Sequence, residues 1–230
     1  MTNSGRMTDT VALLTGSTGG IGKAIASQLF GNNATLILVG RNTETLRDLI
    51  EELQRNNEDS IGNLYLCVAD ITTNSGRNDL LTFVESISEK VNLMINGAGI
   101  NEFSFLGQQT DEMLEEIMYV SSIAPMLTIK KFLPYFQSKN DVQIINVGST
   151  FGSIGYPGYC SYSASKFALR GFTEAFAREC ADTSISVRYF SPRATSTSLN
   201  VSKVIEMNRE LKVEMDSPEY VAEKLISFIE

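Results

Sequence analysis

Tyr162 and Lys166 stand four residues apart, with Ser149 thirteen residues upstream of the tyrosine. On a helix, residues four apart share a face, so the phenol and the ammonium stand side by side. A free phenol titrates near 10, too high to ionise at neutral pH, and a neighbouring cation favours its ionised form. The expectation is that Lys166 eases proton exchange between Tyr162 and a substrate oxygen, while Ser149 holds that oxygen as charge develops on it. The same Tyr–Lys spacing recurs at Tyr135/Lys139 and Tyr220/Lys224, and Ser122 precedes Tyr135 by the same thirteen residues. Ser122 and Tyr135 fall in one predicted helix, where thirteen residues span about 20 Å, so their hydroxyls cannot meet. Tyr220 has no such serine. Ser149 instead ends a predicted strand, and Gly152, Gly155, Pro157 and Gly158 delay the next helix until about Tyr159. The chain can therefore turn back over the strand tip.

A second set of residues prepares a place for phosphate. Gly16, Gly20 and Gly22, within Thr15-Gly16-Ser17-Thr18-Gly19-Gly20-Ile21-Gly22, follow a predicted strand and open a predicted helix. Glycine dihedrals permit the tight turn, a missing Cβ admits a pyrophosphate, and the helix start offers free N–H groups. The spacing is G-x-x-x-G-x-G rather than the commoner G-x-G-x-x-G. A dinucleotide bound here with the three reacting groups nearby implies hydride transfer to or from nicotinamide, and the oxidised ring's positive charge would also favour the Tyr162 phenolate. Lys166 gains a second possible task, holding the nicotinamide ribose. At the end of the second strand, NAD calls for an acid about 20 residues past the glycines, and NADP for a guanidinium. The chain reads Val39-Gly40-Arg41-Asn42 there, with Glu44 the nearest acid. Arg41 can fork onto a phosphate, so NADP(H) is the expected cofactor and NAD(H) the alternative.

Composition removes other chemistries. Among 230 residues there is no histidine, which rules out His-based triads and leaves acid–base work to Tyr, Lys, Asp, Glu or Cys. Cys67, Cys160 and Cys180 have neither metal-ligand nor redox spacing, so no metal is expected and a reducing cytoplasm fits. A net charge of −8 without a basic run argues against nucleic acid and anionic membranes. The polar N-terminus lacks a signal-peptide core, and no apolar run reaches spanning length.

The elements that must position these groups alternate along the chain. Strands are predicted at Val11–Thr15, Thr35–Val39, Leu64–Val68, Leu93–Asn96, Val142–Val147 and Ile185–Phe190. Helices are predicted near Gly20–Phe30, Thr43–Gln54, Asn74–Glu89, Thr110–Phe136, Tyr162–Cys180 and Pro218–Ile229. Near-continuous apolar strands separated by helices imply one α/β domain over residues 1–230, with a polar extension at 1–9 and a substrate-side loop at 193–216. Its architecture is a Rossmann-type doubly wound parallel sheet of six or seven strands with helices on both faces. Ligands of such sheets bind outside the carboxyl ends of the strands, and the unusual residues here follow strand ends.

Together these residues resemble the classical short-chain dehydrogenase/reductase family over about Val11 to Thr197. The resemblance makes Gly16, Ser17, Thr18, Gly20, Ile21 and Gly22 the cofactor motif, with Arg41 and Asn42 beyond it and Asp70 and Ile71 on the adenine side. Asn96, Gly97 and Ala98 match the family's Asn-Asn-Ala-Gly segment. Ser149, Tyr162 and Lys166 fall on its catalytic serine, tyrosine and lysine, and Pro192, Arg193, Thr195 and Thr197 on the segment that closes over nicotinamide. Ser121 stands where the family has an asparagine supporting a water-linked proton relay. Gly97 replaces the second asparagine, and Arg193 replaces a glycine, putting a cation where a substrate carboxylate or cofactor phosphate can lie. No seventh strand of the usual kind follows. Phe103, Phe105, Phe151, Ile154, Tyr156 and Leu199 sit in loops near the expected pocket, implying a partly apolar carbonyl or alcohol substrate. A homodimer or homotetramer through the helices Thr110–Phe136 and Tyr162–Cys180 is implied. The alternative from another class is a dinucleotide-binding regulator or scaffold without turnover, motivated by Ser121, Arg193 and the missing strand. Epimerases and dehydratases reuse a Tyr-x-x-x-Lys pair, but resemble longer chains with a different glycine spacing.

Overall fold

Leucine, isoleucine and valine alternate between the two faces of each strand, so a sheet built from these strands must be covered twice. The computed structural model describes residues 7–197 and 214–229. Its strands are β1 (Val11–Thr15), β2 (Thr35–Gly40), β3 (Leu64–Val68), β4 (Leu93–Asn96), β5 (Val142–Val147) and β6 (Ile185–Phe190). They pair in parallel in the order β3-β2-β1-β4-β5-β6. The order reverses between β1 and β4, where Thr15 pairs with Asn96, and opens a crevice at the carboxyl ends of those strands.

Helices α1 (Gly20–Gly31), α2 (Thr43–Asn56) and α7 (Pro218–Ile229) cover one face. There Ile25, Leu29, Leu49, Leu53 and Leu225 pack on Ala12, Leu14, Leu36, Leu38 and Ile95. Helices α3 (Asn74–Ser86), α5 (Ala124–Gln137) and α6 (Cys160–Glu179) cover the other. There Leu80, Phe132, Phe136 and Phe176 pack on Leu13, Ile37, Met94 and Ile144.

One expectation needs correction, and one helix carries a local irregularity. Met7 lies inside the predicted polar extension, yet it is 7% exposed within the α1 core, and its amide donates to the Asn32 carbonyl at 2.8 Å. The predicted helix Thr110–Phe136 is present as one helical run, α4 (Asp111–Met118), a π-helical turn (Tyr119–Ile123) and α5. Pro125 explains the π turn: its ring would collide with the carbonyl four residues back, Ser121, and it has no N–H to give. The turn widens, and the Ala124 amide reaches the Tyr119 carbonyl five residues back.

Candidate active site

Gly16 makes the first tight turn after β1 at φ +69°, where a Cβ would lie 2.6 Å from the Ala98 amide nitrogen. Gly22 lets α1 approach the same turn, since a Cβ there would lie 2.1 Å from the Gly16 carbonyl oxygen. Gly19, at the start of α1, supplies no side-chain cap, whereas Asn42, Thr73 and Thr110 cap α2, α3 and α4 through their own side chains. The free amides of α1 thus face a cleft lined by Gly16, Thr18, Gly20, Ile21 and Gly22 on one side and by Arg41, Asp70, Ile71, Gly97 and Ala98 on the other. Tyr162, Lys166 and Thr197 complete it.

The donor and acceptor set suits a dinucleotide. Amides and the Arg41 guanidinium can meet phosphate. Asp70 can accept from an amino group: burial opposes its charge, but the Thr72 hydroxyl and amide, with Arg41 and Arg77 nearby, hold its carboxyl below the ordinary value. Its Oδ1 accepts from the Thr72 hydroxyl at 2.6 Å and the Thr72 amide at 2.9 Å. Arg77 is 7% exposed and clamps this corner, with Nη1 donating to the Ile71 carbonyl at 2.6 Å. No sequence signal singled out Arg77, which reads as an ordinary helix-surface cation in Asn74-Ser75-Gly76-Arg77.

Several of the residues expected at the cofactor already hold protein partners or pack against the cleft wall. The Ser17 hydroxyl is fully buried and donates to the Val39 carbonyl at 3.1 Å, stapling the glycine loop to β2. Asn42 accepts the Thr45 amide at 3.0 Å as the α2 cap. Asn96 is 2% exposed and donates to Asn146 at 2.9 Å, which in turn donates to Thr173 of α6 at 2.9 Å. Pro192 is buried, and its carbonyl accepts the Thr150 amide at 3.1 Å. Arg193 is exposed and reaches the Glu214 carbonyl at 3.4 Å. Thr195 is 7% exposed and bridges to Asp216. Thr197 crosses back over the glycine loop, where a Cβ on Gly20 would meet its Cγ2 at 2.9 Å. Leu199 and most of the predicted loop 193–216 lie outside the described residues.

The three reacting groups do converge. The Ser149 hydroxyl stands close enough to the Tyr162 phenol to pull its pKa down. Its Oγ also accepts the Phe151 amide at 3.1 Å, starting the short 3₁₀ turn Thr150–Gly152 that carries the chain back toward α6. Lys166 Nζ sits 5.6 Å from the Tyr162 ring centre and donates to the Val147 carbonyl at 3.0 Å. The competing pairs do not converge on a serine. Tyr135 accepts the Val91 amide at 3.1 Å, at the amino end of the sheet, and Lys139 lies 4.8 Å over its ring. Tyr220 is 47% exposed.

Charge in the site departs from the expected lowering of the phenol pKa. Burial pushes Tyr162 up to about 12; the Ser149 hydroxyl opposes this, and Tyr189 and Tyr159 add to it. Burial also brings Lys166 down to about 8. The ammonium stands over the ring and bonds a carbonyl, so desolvation outweighs its pull on the phenol. Tyr162 therefore keeps its proton at neutral pH.

Ser121 is fully buried in the π turn, and its one oxygen both accepts the Ile100 amide and donates to the Ile100 carbonyl, each at 3.0 Å. A Cβ on Gly99 would lie 3.4 Å from Ser121 Oγ and 3.5 Å from Lys166 Nζ, so these two polar heads flank one small space. Around Tyr162 the rings gather. Phe151 and Tyr159 each lie 6.3 Å from it, Phe151 stacks on Tyr156 at 5.7 Å, and Phe103 meets Tyr159 at 5.2 Å. Phe105 and Ile154 are 54% and 66% exposed on the neighbouring loops.

Comparison with known proteins agrees with this geometry. The short chain dehydrogenase profile matches residues 10–208. An uncharacterized oxidoreductase of Bacillus subtilis, YvrD, is 29% identical over 194 residues, covering 84% of this chain and 71% of that protein. The 3-oxoacyl-[acyl-carrier-protein] reductase FabG of Haemophilus influenzae is 31% identical over 192 residues, covering 82% and 75%. A crystal structure of a dehydrogenase/reductase from Sinorhizobium meliloti superposes with a TM-score of 0.83 at 25% identity, covering 96% of this chain and 87% of that one. With its profile match, its parallel six-stranded sheet and its convergent serine, tyrosine and lysine, this chain belongs to the classical short-chain dehydrogenase/reductase family, an oxidoreductase family that uses nicotinamide dinucleotides.

Proposed function

We propose that this chain is an NADP(H)-dependent oxidoreductase acting on a carbonyl or secondary alcohol with an apolar, aromatic-compatible flank. The observation that carries the reading is Tyr162 in the glycine-lined cleft with the buried Lys166 Nζ 5.6 Å from its ring centre and the Ser149 hydroxyl near its phenol. When bound, NADPH would supply the hydride to the carbonyl carbon. Tyr162 gives its proton to the carbonyl oxygen, and that proton completes the alcohol. Ser149 donates to the same oxygen as negative charge builds on it. Lys166 binds ribose hydroxyls and, as an ammonium, stabilises the Tyr162 phenolate left behind until solvent returns its proton. A phenol raised to about 12 stays protonated at neutral pH, the form that can give a proton to a carbonyl oxygen. Arg41 at the cleft rim, with no acid closing β2, supports NADP(H) over NAD(H).

The aromatic cluster around Tyr162 supports a flat or apolar substituent, and similarity to the Haemophilus reductase adds 3-oxoacyl thioesters as the second class to try. Homodimer or homotetramer assembly belongs to the same proposal. Phe167 on α6 and Ile123 in the π turn stay 46% and 39% exposed, and light scattering tests it. Free Cys67, Cys160 and Cys180 support a cytoplasmic setting.

The decisive experiment follows NADPH absorbance with aromatic ketones, aliphatic ketones and 3-oxoacyl thioesters, for wild type and Tyr162→Phe. Wild-type turnover lost in the variant, with NADPH-induced thermal stabilisation retained, is expected. Unchanged turnover in Tyr162→Phe refutes the assignment, and tight NADPH binding without wild-type turnover on any substrate favours a regulator instead.

A further inference from the structure

Beneath Ser149 lies a second phenol that the proposed reaction does not use. Tyr189 sits on β6 opposite Asn146. It shares the strand face of Ile185 and Val187, which pack in the α6 core. Its hydroxyl accepts the Ser149 amide at 3.1 Å and faces the Ser149 and Lys166 carbonyls, each at 3.3 Å. A phenol has one proton, so the two carbonyls share it or compete for it. Burial pushes the phenol's pKa up, so that proton stays in place at neutral pH. One oxygen thus ties together the backbones of two reacting residues carried on different elements.

The ring has a fitted space. A Cβ on Gly148 would lie 1.9 Å from Tyr189 Cζ, and one on Gly152 would lie 2.1 Å from its hydroxyl oxygen and 2.9 Å from the Lys166 carbonyl. Neither position tolerates a side chain while Tyr189 keeps its place, because the ring occupies the volume that side chain would need. The Gly148 amide donates to Phe190 at 2.7 Å and the Thr150 amide to Pro192 at 3.1 Å. Between these two backbone links the Ser149 amide has no β6 carbonyl, and the Tyr189 phenol takes that role.

We propose that Tyr189 is a positioning residue: its hydroxyl couples the Ser149 strand tip to the Lys166 turn of α6 and so sets where the Ser149 hydroxyl stands relative to Tyr162. The kinetic consequence rests on the reductase reading above; the structural consequence does not.

Tyr189→Phe keeps the ring against Gly148 and removes only the oxygen, with the thermal midpoint as a folding control. Misplacing a reacting group by about 1 Å costs about 100-fold, so a kcat loss of roughly 10- to 100-fold is expected. KM for NADPH should move less than about threefold, since no cleft contact changes. In a Ser149→Ala background the same substitution should cost nothing further, because the group being positioned has gone. Equal losses in both backgrounds, or a kcat within about twofold of wild type, overturn the proposal. Amide hydrogen exchange on the cofactor-free protein needs no turnover. Ser149 to Gly152 should exchange roughly 10-fold faster in Tyr189→Phe, with β1 and α1 unchanged. Unchanged protection overturns the coupling, and acceleration spread over the whole chain assigns Tyr189 to general stability instead. If wild type reduces no substrate, the reductase reading fails alone and the exchange pattern decides Tyr189.

Discussion

Lys166 is held in the fold at a cost that pH can expose. The residue is 4% exposed, and burial lowers its pKa from 10.5 to about 8. Each unit corresponds to 1.36 kcal/mol, so keeping the ammonium charged in the folded state costs roughly 3 kcal/mol. Below about pH 8 both folded and unfolded chains hold the proton, and the full penalty is present. Between about 8 and 10.5 the folded chain releases its proton first, so the unfolded chain binds more protons and stability rises with pH. Tyr162 runs the other way. Its pKa is raised from 10.0 to about 12, so its contribution is complete below 10 and fades only as pH climbs past that. Lys166→Met removes the charge and keeps an unbranched side chain. At about pH 7 the variant should be the more stable protein by up to about 3 kcal/mol, roughly 6–12 °C in Tm for a domain of this size. The gap should close steadily toward about pH 10.5. Urea unfolding at closely spaced pH values compares the two. A wild type–variant difference that stays constant across that range refutes the desolvation argument. The variant should also lose turnover, which would place Lys166 among side chains retained for chemistry against stability.

Gly22→Ala inverts the usual helix rule. Alanine normally gains about 1 kcal/mol over glycine inside a helix. Here the new Cβ would press to 2.1 Å from the Gly16 carbonyl, so a net loss of about 1–3 kcal/mol in denaturation is expected, with weakened NADPH binding. Ser121→Ala strips both partners from the Ile100 backbone. It should destabilise the chain by about 1–3 kcal/mol in thermal unfolding, with the largest rise in amide exchange at Ile100. Arg41→Ala should weaken NADPH binding by roughly 10- to 100-fold, the worth of a charged hydrogen bond, and leave NADH binding unchanged by calorimetry. Greater thermal stabilisation of the wild type by NADH than by NADPH would overturn that assignment.

The strand positions were legible because a doubly covered sheet demands near-continuous apolar runs, and runs such as Thr35–Val39 and Leu93–Asn96 have few other uses. The π turn within Thr110–Phe136 was harder to see. Pro125 was the available signal, but its effect depends on Ser121 finding Ile100 across the site, a contact 21 residues away in sequence. Ser17, Asn42 and Asn96 were expected at the cofactor, and the structure adds that each side chain also satisfies a local backbone or core partner.

Residue type and spacing alone singled out the Ser149, Tyr162 and Lys166 set, the glycine turn and the parallel sheet, because backbone freedom, helix periodicity and strand patterning are short-range properties. Proton affinities and second-layer supports waited on the tertiary structure. Burial of Lys166 and Tyr162, the Arg77 clamp on Ile71 and the Tyr189 ring against Gly148 all arise where distant segments exclude water together. Desolvation is a property of the assembled surroundings, and no local pattern of residues encodes it.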